Sequence, residues 1–316
     1  MPMKTDKITA IKKRSAFIAG RTIYWIAAAV IGAYFMMPFF VLLSKAFMSV
    51  DDIMALRLLP SAETFMGEDG KFSFAKVFVN FVNAFKVNKI DDDVIGINFF
   101  RAALNSLYIM AFRVVGVTVS SFVCAFALSR IKFRGRKILF SAAMVTVMLP
   151  GIVTMIPLRI LYYNFNWFGT LLPLWVPACF GGGFMTIFME MQFIKSIPAT
   201  MDEAAVIDGA NYFQIAFRII LPLVAPVLIY TAVGTAIGSW NDFMGPLTYI
   251  PQGTYELYTL PLAFFQKYTG KVGVVGSKPN EQMAMSLVMM IPIFILFAFF
   301  KEQMINGVSI GAGIKG

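Results

Sequence analysis

The sequence predicts an all-α polytopic membrane protein with six transmembrane helices. Of its 316 residues, 59% are hydrophobic and only 14% are charged, and the mean hydropathy is +0.74. A soluble domain has about 25% charged residues because its surface must be solvated. This chain therefore lacks the polar surface of a soluble protein. The absence of histidine from the sequence excludes His-based catalysis and His metal sites.

Uncharged runs define the six predicted helices, since a spanning helix needs about 20 mostly apolar residues. The runs, one of them interrupted only by Arg113, are 22–44, 102–129, 138–158, 160–189, 219–241 and 282–300. The run 160–189 is too long for one span. Its aromatic segment 162–169 is typical of an interfacial turn, so we expect the span to start at about 170. Pro150, Pro157 and Pro292 lie inside spans and predict kinks.

The distribution of Lys and Arg predicts that both termini are cytoplasmic. The densest basic cluster occupies the very short loop between the second and third spans, residues 130–137. The net charge of +10 is therefore interpreted as a topology signal and not as a sign of nucleic-acid binding. The predicted domains are a cytoplasmic arm 1–21, a membrane domain 22–300 with outer loops 45–101 and 242–281 and a cytoplasmic loop 190–218, and a cytoplasmic tail 301–316.

The cytoplasmic loop 190–218 predicts a short helix between two spans. Pro198 can start a helix because its missing N–H is no loss in the first turn. Thr200 and Glu203 fit a capping box, which would start the helix two residues later. Gly209 permits the left-handed conformation that ends a helix. Such a helix is either an ordinary connector or a surface for another protein.

The same loop resembles the signature loop of ABC-importer permeases. That pattern is Glu-Ala-Ala, three residues, Gly, nine residues, Ile, any residue, Leu-Pro. Every specified position is present: Glu203, Ala204, Ala205, Gly209, Ile219, Leu221 and Pro222. The variant Asp208-Gly209-Ala210 is similar to the carbohydrate branch of the family. The chain as a whole resembles the shorter of the two maltose-importer permease subunits, which implies the type I importer permease fold.

Other segments carry the same resemblance. They are residues 125–130 with Phe133-Arg134-Gly135, Trp240-Asn241-Asp242-Phe243, Thr259-Leu260-Pro261 with Gln266, and the tail from Lys301 to Gly316. The resemblance implies a bacterial inner-membrane protein that assembles with a second homologous permease, two ATP-binding cassette subunits and an extracytoplasmic sugar-binding protein. The resemblance implies a carbohydrate substrate and contact with membrane lipids. It implies no nucleic-acid partner.

In that family the cytoplasmic helix couples the permease to the ATPase. The residues that the resemblance assigns to this contact are Glu203, Ala204, Ala205, Asp208, Gly209, Ile219, Leu221 and Pro222. The sequence has no G-x-x-x-x-G-K-[ST] phosphate loop, since Gly270-Lys271 is followed by Val272. We therefore expect a transport subunit that is not an enzyme and holds no cofactor or metal, with ATP and Mg bound by the partner ATPase subunits.

Polar residues in or beside the spans are candidates for the substrate pathway. Arg113 lies near the middle of the second span, where substrate contact and structural pairing explain a charge equally well. Trp240, Asn241 and Asp242 end the fifth span, and we expect a pore or outer-gate role for them. The alternative is an interfacial aromatic residue with polar neighbours.

Three further patterns are less specific. Gly234 and Gly238 form a close-packing helix face, either toward the partner permease or within the subunit. Three adjacent carboxylates occupy positions 91–93. They could form a cation site, but such a run is more often simply solvated. The outer loop 242–281 resembles the region that reaches the binding protein in the maltose system, with Tyr255, Tyr258, Lys267, Tyr268 and Lys271 as its candidate contacts.

Two rival functions are a permease for a non-sugar solute and a secondary transporter. A secondary transporter predicts inverted repeats, and the six spans show no two-fold repeat.

Overall fold

Helices make up nearly all regular structure in the computed structural model, which describes residues 3–67, 69–86, 96–268 and 278–311. The α-helices are α1 (Met3–Ala46), α2 (Val50–Met54), α3 (Phe74–Val77), α4 (Val79–Phe85), α5 (Phe99–Arg130), α6 (Arg136–Val147), α7 (Gly151–Asn164), α8 (Leu172–Trp175), α9 (Phe184–Ser196), α10 (Thr200–Ile207), α11 (Tyr212–Gln214), α12 (Leu221–Trp240), α13 (Met244–Tyr249), α14 (Leu260–Tyr268) and α15 (Pro279–Gly311). Shorter elements are 3₁₀ turns at Ala62–Phe65, Pro177–Cys179 and Tyr255–Leu257, a π-helix at Ile215–Ile220, and a single β-bridge between Met66 and Phe72.

Five helical stretches among the described residues are long and apolar enough to cross a membrane. They are Gly20–Ala46, Phe99–Arg130, Leu172–Ser196, Tyr212–Trp240 and Pro279–Met304. Helices α6 and α7 pass the same test only as a pair, and their axes differ by 104°. The count is six, as the sequence predicts, when this bent pair is taken as one span.

The predicted third span, 138–158, is therefore not one continuous helix. Pro150 is the N-cap of α7 and separates it from α6, so the expected kink is a full break. Proline has no N–H to donate, and it drives the preceding residue out of the helical conformation. Pro157 and Pro292, by contrast, lie inside α7 and α15, which continue past them.

The larger of two compact units, Phe85–Ser277 with Met289–Gly316, is arranged around α5. This helix packs mainly on α9 and α12. It also approaches the 172–183 segment so closely that a Cβ at Gly116 would lie 2.3 Å from Cys179 Sγ. A Cβ at Gly182 would likewise lie 2.4 Å from Val117. Two glycines thus allow this segment to lie directly on α5.

The smaller unit, Met1–Ala84 with Lys278–Val288, contains a buried carboxylate network. Asp52 is 4% exposed, and its Oδ2 accepts hydrogen bonds from Thr64 Oγ1 (2.5 Å), Ser61 Oγ (3.0 Å) and Ser61 N (3.1 Å). Arg57 Nη1 lies 3.3 Å from Asp52 Oδ1. Burial alone raises the pKa of Asp52, but the hydrogen bonds and Arg57 outweigh it and hold this pKa below its ordinary 3.8.

We expect Gly116→Ala to destabilise the protein by about 1–3 kcal/mol, because the added methyl group meets a packed sulfur and backbone. The measurement is the thermal unfolding midpoint of the detergent-solubilised chain. Gly32→Ala is the matched control, since Gly32 is also helical and a Cβ there would meet no atom within 4 Å. Equal midpoints for the two variants would contradict the close packing.

We expect the Asp52 network to loosen in acid. A carboxyl whose folded pKa is lowered adds stability that is complete well above pH 3.8 and disappears as the pH falls through the folded pKa. Hydrogen exchange of residues 49–64, corrected for intrinsic rates, should therefore become faster as the pH falls below 3.8. Asp52→Asn should show fast exchange at neutral pH already, whereas the exposed neighbour's variant Asp51→Asn should not. Identical exchange in both variants would refute the assignment.

Candidate functional site

Helix α10 lies in the predicted cytoplasmic loop and begins without a side-chain cap. Its first turn is held by backbone bonds from Met201 N to Pro198 O (3.3 Å) and from Glu203 N to Ala199 O (3.1 Å). Ala199 is the N-cap residue, and Thr200 is already helical. The predicted capping box of Thr200 with Glu203 is therefore not formed, and the helix starts two residues after Pro198.

The end of α10 follows the prediction. Gly209 has φ +84°, the left-handed conformation expected of it. Its N–H donates to Val206 O (3.0 Å), and Ala210 N donates to Ala205 O (2.9 Å). This pair of bonds satisfies the last carbonyl groups of the helix, as in a Schellman motif. The chain then turns at once into α11, which Asn211 and Gln214 cap reciprocally.

The two faces of α10 differ sharply in exposure. Glu203 and Ala204 are exposed, and Ile207 is 86% exposed. Ala205 is instead 7% exposed and belongs to the apolar core that also contains Ile194. Ala205, which the resemblance assigns to the ATPase contact, therefore packs within its own chain in this structure. Its small side chain allows α10 to lie on the core of its own chain.

The remaining motif positions shape the entry to the fifth span. Ile219 and Leu221 are half-buried against the same core, and only Pro222 is exposed. The π-helix Ile215–Ile220 ends just before Leu221 and Pro222. A wide turn there is compatible with a proline that cannot donate to the preceding turn. These residues therefore position the loop from inside the chain.

Arg130, the last residue of α5, holds both ends of the turn that leads into α10. Its Nε lies 2.9 Å from Asp202 Oδ2, and its Nη2 donates to Ile197 O at 2.8 Å. The side chains of Arg130 and Asp202 are 10% and 17% exposed. Burial raises the pKa of the Asp202 carboxyl, Arg130 partly reverses this effect, and Glu203 adds to it. Neither Arg130 nor Asp202 is among the site residues predicted from the sequence.

Two of the predicted pathway residues meet. Arg113 Nη1 lies 3.2 Å from Asp242 Oδ2, and Asp242 Oδ1 accepts a hydrogen bond from Gly245 N at 3.0 Å. The charge of Arg113 therefore has a partner within its own chain. Asn241 is exposed, but Trp240 is 3% exposed and its Nε1 donates to Met289 O at 2.9 Å. This burial leaves almost none of the indole ring accessible to a substrate in this structure.

The candidate contacts with a binding protein also divide by burial. Tyr258 is 1% exposed and Lys267 is 4% exposed, so neither side chain is available at the surface. Lys267 Nζ donates to Lys86 O at 3.2 Å. Tyr255 and Tyr268 are half-buried. Lys271 and the carboxylates 91–93 lie outside the described residues.

Glu190 is a buried polar residue that the sequence analysis placed in a loop. The uncharged run ends at 189, but α9 continues to Ser196 and Glu190 is completely buried within it. Its Oε1 accepts hydrogen bonds from Ser121 Oγ and Thr231 Oγ1, both at 3.0 Å. This carboxyl group therefore links α5, α9 and α12. No local sequence signal marks this contact, because α5 and α12 each contain several hydroxyl residues and only the packing of the helices brings Ser121 and Thr231 to Glu190.

Comparison with known proteins gives the family. Residues 116–310 match the family described as the binding-protein-dependent transport system inner membrane component. The trehalose/maltose transport system permease protein MalG of Thermococcus litoralis is 32% identical over 219 residues, which cover 69% of this chain and 76% of that protein. The arabinooligosaccharides transport system permease protein AraQ of Halalkalibacterium halodurans is 30% identical over 212 residues, or 67% and 73% of the two chains. This chain therefore belongs to that family, the permease subunits of ABC importers.

A solved structure confirms the predicted all-α permease fold. It is that of a bacterial ABC transporter involved in the import of the acidic polysaccharide alginate. The TM-score is 0.71, with 19% identity, and the match covers 92% of this chain and 97% of the other.

We expect Glu190→Gln to be tolerated, because its amide oxygen can accept the same two hydroxyl bonds. Glu190→Leu should destabilise the helix packing by about 0.6–2 kcal/mol, since Ser121 and Thr231 lose the acceptor on α9 and keep only carbonyl acceptors within their own helices. Unfolding of the purified chain in mixed micelles measures the difference. Equal stability of the Gln and Leu variants would contradict the three-helix link.

Proposed function

We propose that this chain is a permease subunit of an ATP-driven importer for an oligosaccharide, and that it forms half of the translocation pathway. The observation that carries the proposal is the complete permease signature between two spans. It begins on the short helix α10, where Glu203 and Ala204 are exposed, and it ends at the start of the fifth span. The sugar class is supported by the Asp208-Gly209-Ala210 variant and by relatives whose names specify arabinooligosaccharides and trehalose/maltose.

Helix α10 is the proposed contact with a separate ATPase. Its outer face combines apolar side chains, Val206 (56% exposed) and Ile207 (86% exposed), with the carboxylates of Glu203 and Asp208. Large apolar side chains on a water-facing loop are typical of a protein interface. The carboxylates would meet basic or polar groups at its rim. ATP and Mg bind to the two ATPase subunits, and this chain supplies no hydrolytic site.

A second, homologous permease completes the proposed pathway. Gly234 and Gly238 are exposed on α12, and an ideal Cβ at either would meet no described atom within 4 Å. Their close-packing face is therefore not used within this subunit's described part, which favours the partner permease as its occupant. Arg113, Asn241 and Asp242 remain the proposed pathway residues, and Tyr255 and Tyr268 the proposed contacts with the external binding protein.

Both termini are proposed to lie in the cytoplasm of a bacterial cell, with the chain in its inner membrane. The loops 45–101 and 242–281 then face outward, where the binding protein delivers the sugar. This orientation follows from the Lys and Arg distribution alone.

The function is tested with the complex of both permeases and the ATPase in proteoliposomes, with its binding protein added. We expect ATP hydrolysis and uptake to respond to members of a panel of maltose, trehalose and arabinooligosaccharides, and not to amino acids. Uptake by this chain alone without ATP would refute the importer assignment. A response to amino acids only would replace the sugar class and leave the ATPase coupling intact.

We expect Glu203→Lys and Gly209→Pro to uncouple transport while the protein stays inserted. The first variant reverses a charge on the outer face of α10. The second is incompatible with φ +84° and removes the bond from Gly209 N to Val206 O. Sugar uptake should fall roughly tenfold or more. Glu302→Lys, the same charge change at an exposed position of α15, is the control. Normal uptake by correctly inserted variants would contradict the role of α10.

A further inference from the structure

We propose that Arg130 is the positioning residue that connects α10 to the end of α5. Through this connection, a displacement of the ATPase-facing helix α10 moves α5 with it. The inference rests on the proposed role of α10. It adds a residue outside the signature motif and assigns a direction to the coupling, from the cytoplasmic loop into one particular span.

The guanidinium group of Arg130 contacts the cytoplasmic loop 190–218 at two residues. Ile197, whose carbonyl accepts from Nη2, is the C-cap of α9, and Asp202, which pairs with Nε, lies in the first turn of α10. The side chain therefore spans the whole turn between the two helices. Lysine carries a single ammonium group and lacks the planar, fixed arrangement of donors with which arginine reaches two separate acceptors.

The ion pair between Arg130 and Asp202 is sheltered from solvent. The exposures of 10% and 17% leave little access for competing water or salt. The Nε–H is not aligned on the carboxylate well enough for a hydrogen bond, and Asp202 Oδ1 has no hydrogen-bond partner among the described residues. Arg130 is thus the main compensation for a carboxylate that is largely removed from solvent.

Helix α5 is suited to transmit a displacement. It runs for 32 residues and, of the five single spans in the described part of the chain, it alone contains no proline. Its interior carries the Arg113–Asp242 pair. Near its other end, Asn105 Nδ2 donates to Glu256 O (2.8 Å) and to Tyr258 O (3.0 Å). A movement at Arg130 therefore reaches the proposed pathway and the outer segment along one helix.

The test compares Arg130→Gln and Arg130→Lys with a control, Lys132→Gln. The control removes a positive charge at an exposed position of the basic loop 130–137. Each variant is built into the full complex in a background lacking Cys124 and Cys179, with a reporter cysteine at Asn241. The rate of maleimide labelling is measured without nucleotide and after trapping with MgATP and vanadate. Co-purification of the ATPase is measured in parallel.

We expect Arg130→Gln to retain the ATPase. The change in labelling rate that nucleotide causes should be roughly tenfold smaller than in the wild type. Arg130→Lys should be intermediate, and Lys132→Gln should match the wild type. A full response in Arg130→Gln would overturn the proposal, and so would loss of the ATPase, because Arg130 would then only fold α10. If the parent complex itself neither binds the ATPase nor responds to nucleotide, the proposed function is at fault and not Arg130.

Discussion

The satisfaction of polar groups in an apolar surrounding is the constraint on which the rest of this structure depends. In lipid each backbone N–H and C=O must bond within the protein, and helices achieve this within one segment. The same demand applies to side chains. One carboxyl oxygen of Glu190, Oε1, meets it with Ser121 and Thr231, and Arg113 meets it with Asp242. These few polar pairs therefore specify which helices lie side by side, where apolar packing alone distinguishes partners weakly.

Helix α5 is where these requirements converge. It contributes Ser121 to one polar link and Arg113 to another, and Gly116 gives the 172–183 segment its close approach. Its last residue, Arg130, leaves the apolar region and contacts the loop. One uninterrupted helix thus participates in packing, in charge neutralisation and in the attachment of α10.

Local chemistry made part of this arrangement predictable. The length of apolar runs identified the spans, and the left-handed requirement at Gly209 identified the end of α10, because both depend on short stretches of sequence. The break at Pro150 exceeded the expected kink, since neighbouring packing determines how far a proline-containing helix bends. Ending each span at the nearest charge misplaced Glu190, because a carboxyl group with hydroxyl partners can lie inside the membrane domain.

Long-range pairing was beyond the reach of the sequence. Nothing in the sequence around Asp202 indicates its partner, and Arg130 was interpreted through the charge bias of its loop. Their meeting depends on how α9 and α10 return to the end of α5. The orientation of Trp240 was unpredictable for the same reason, since the acceptor for its indole N–H is Met289 O, far along the chain.

The brevity of α10 has a consequence for assembly. A helix of eight residues is far below the length of about 12–15 residues at which isolated helices become even marginally stable in water. Its shape is maintained by Arg130 on one side and by the buried Ala205 on the other. Under the proposed role, a proteolytic fragment or a nascent chain that carries residues 197–211 would present no competent surface. On the same proposal, ATPase subunits would bind only permeases that have already completed their membrane fold.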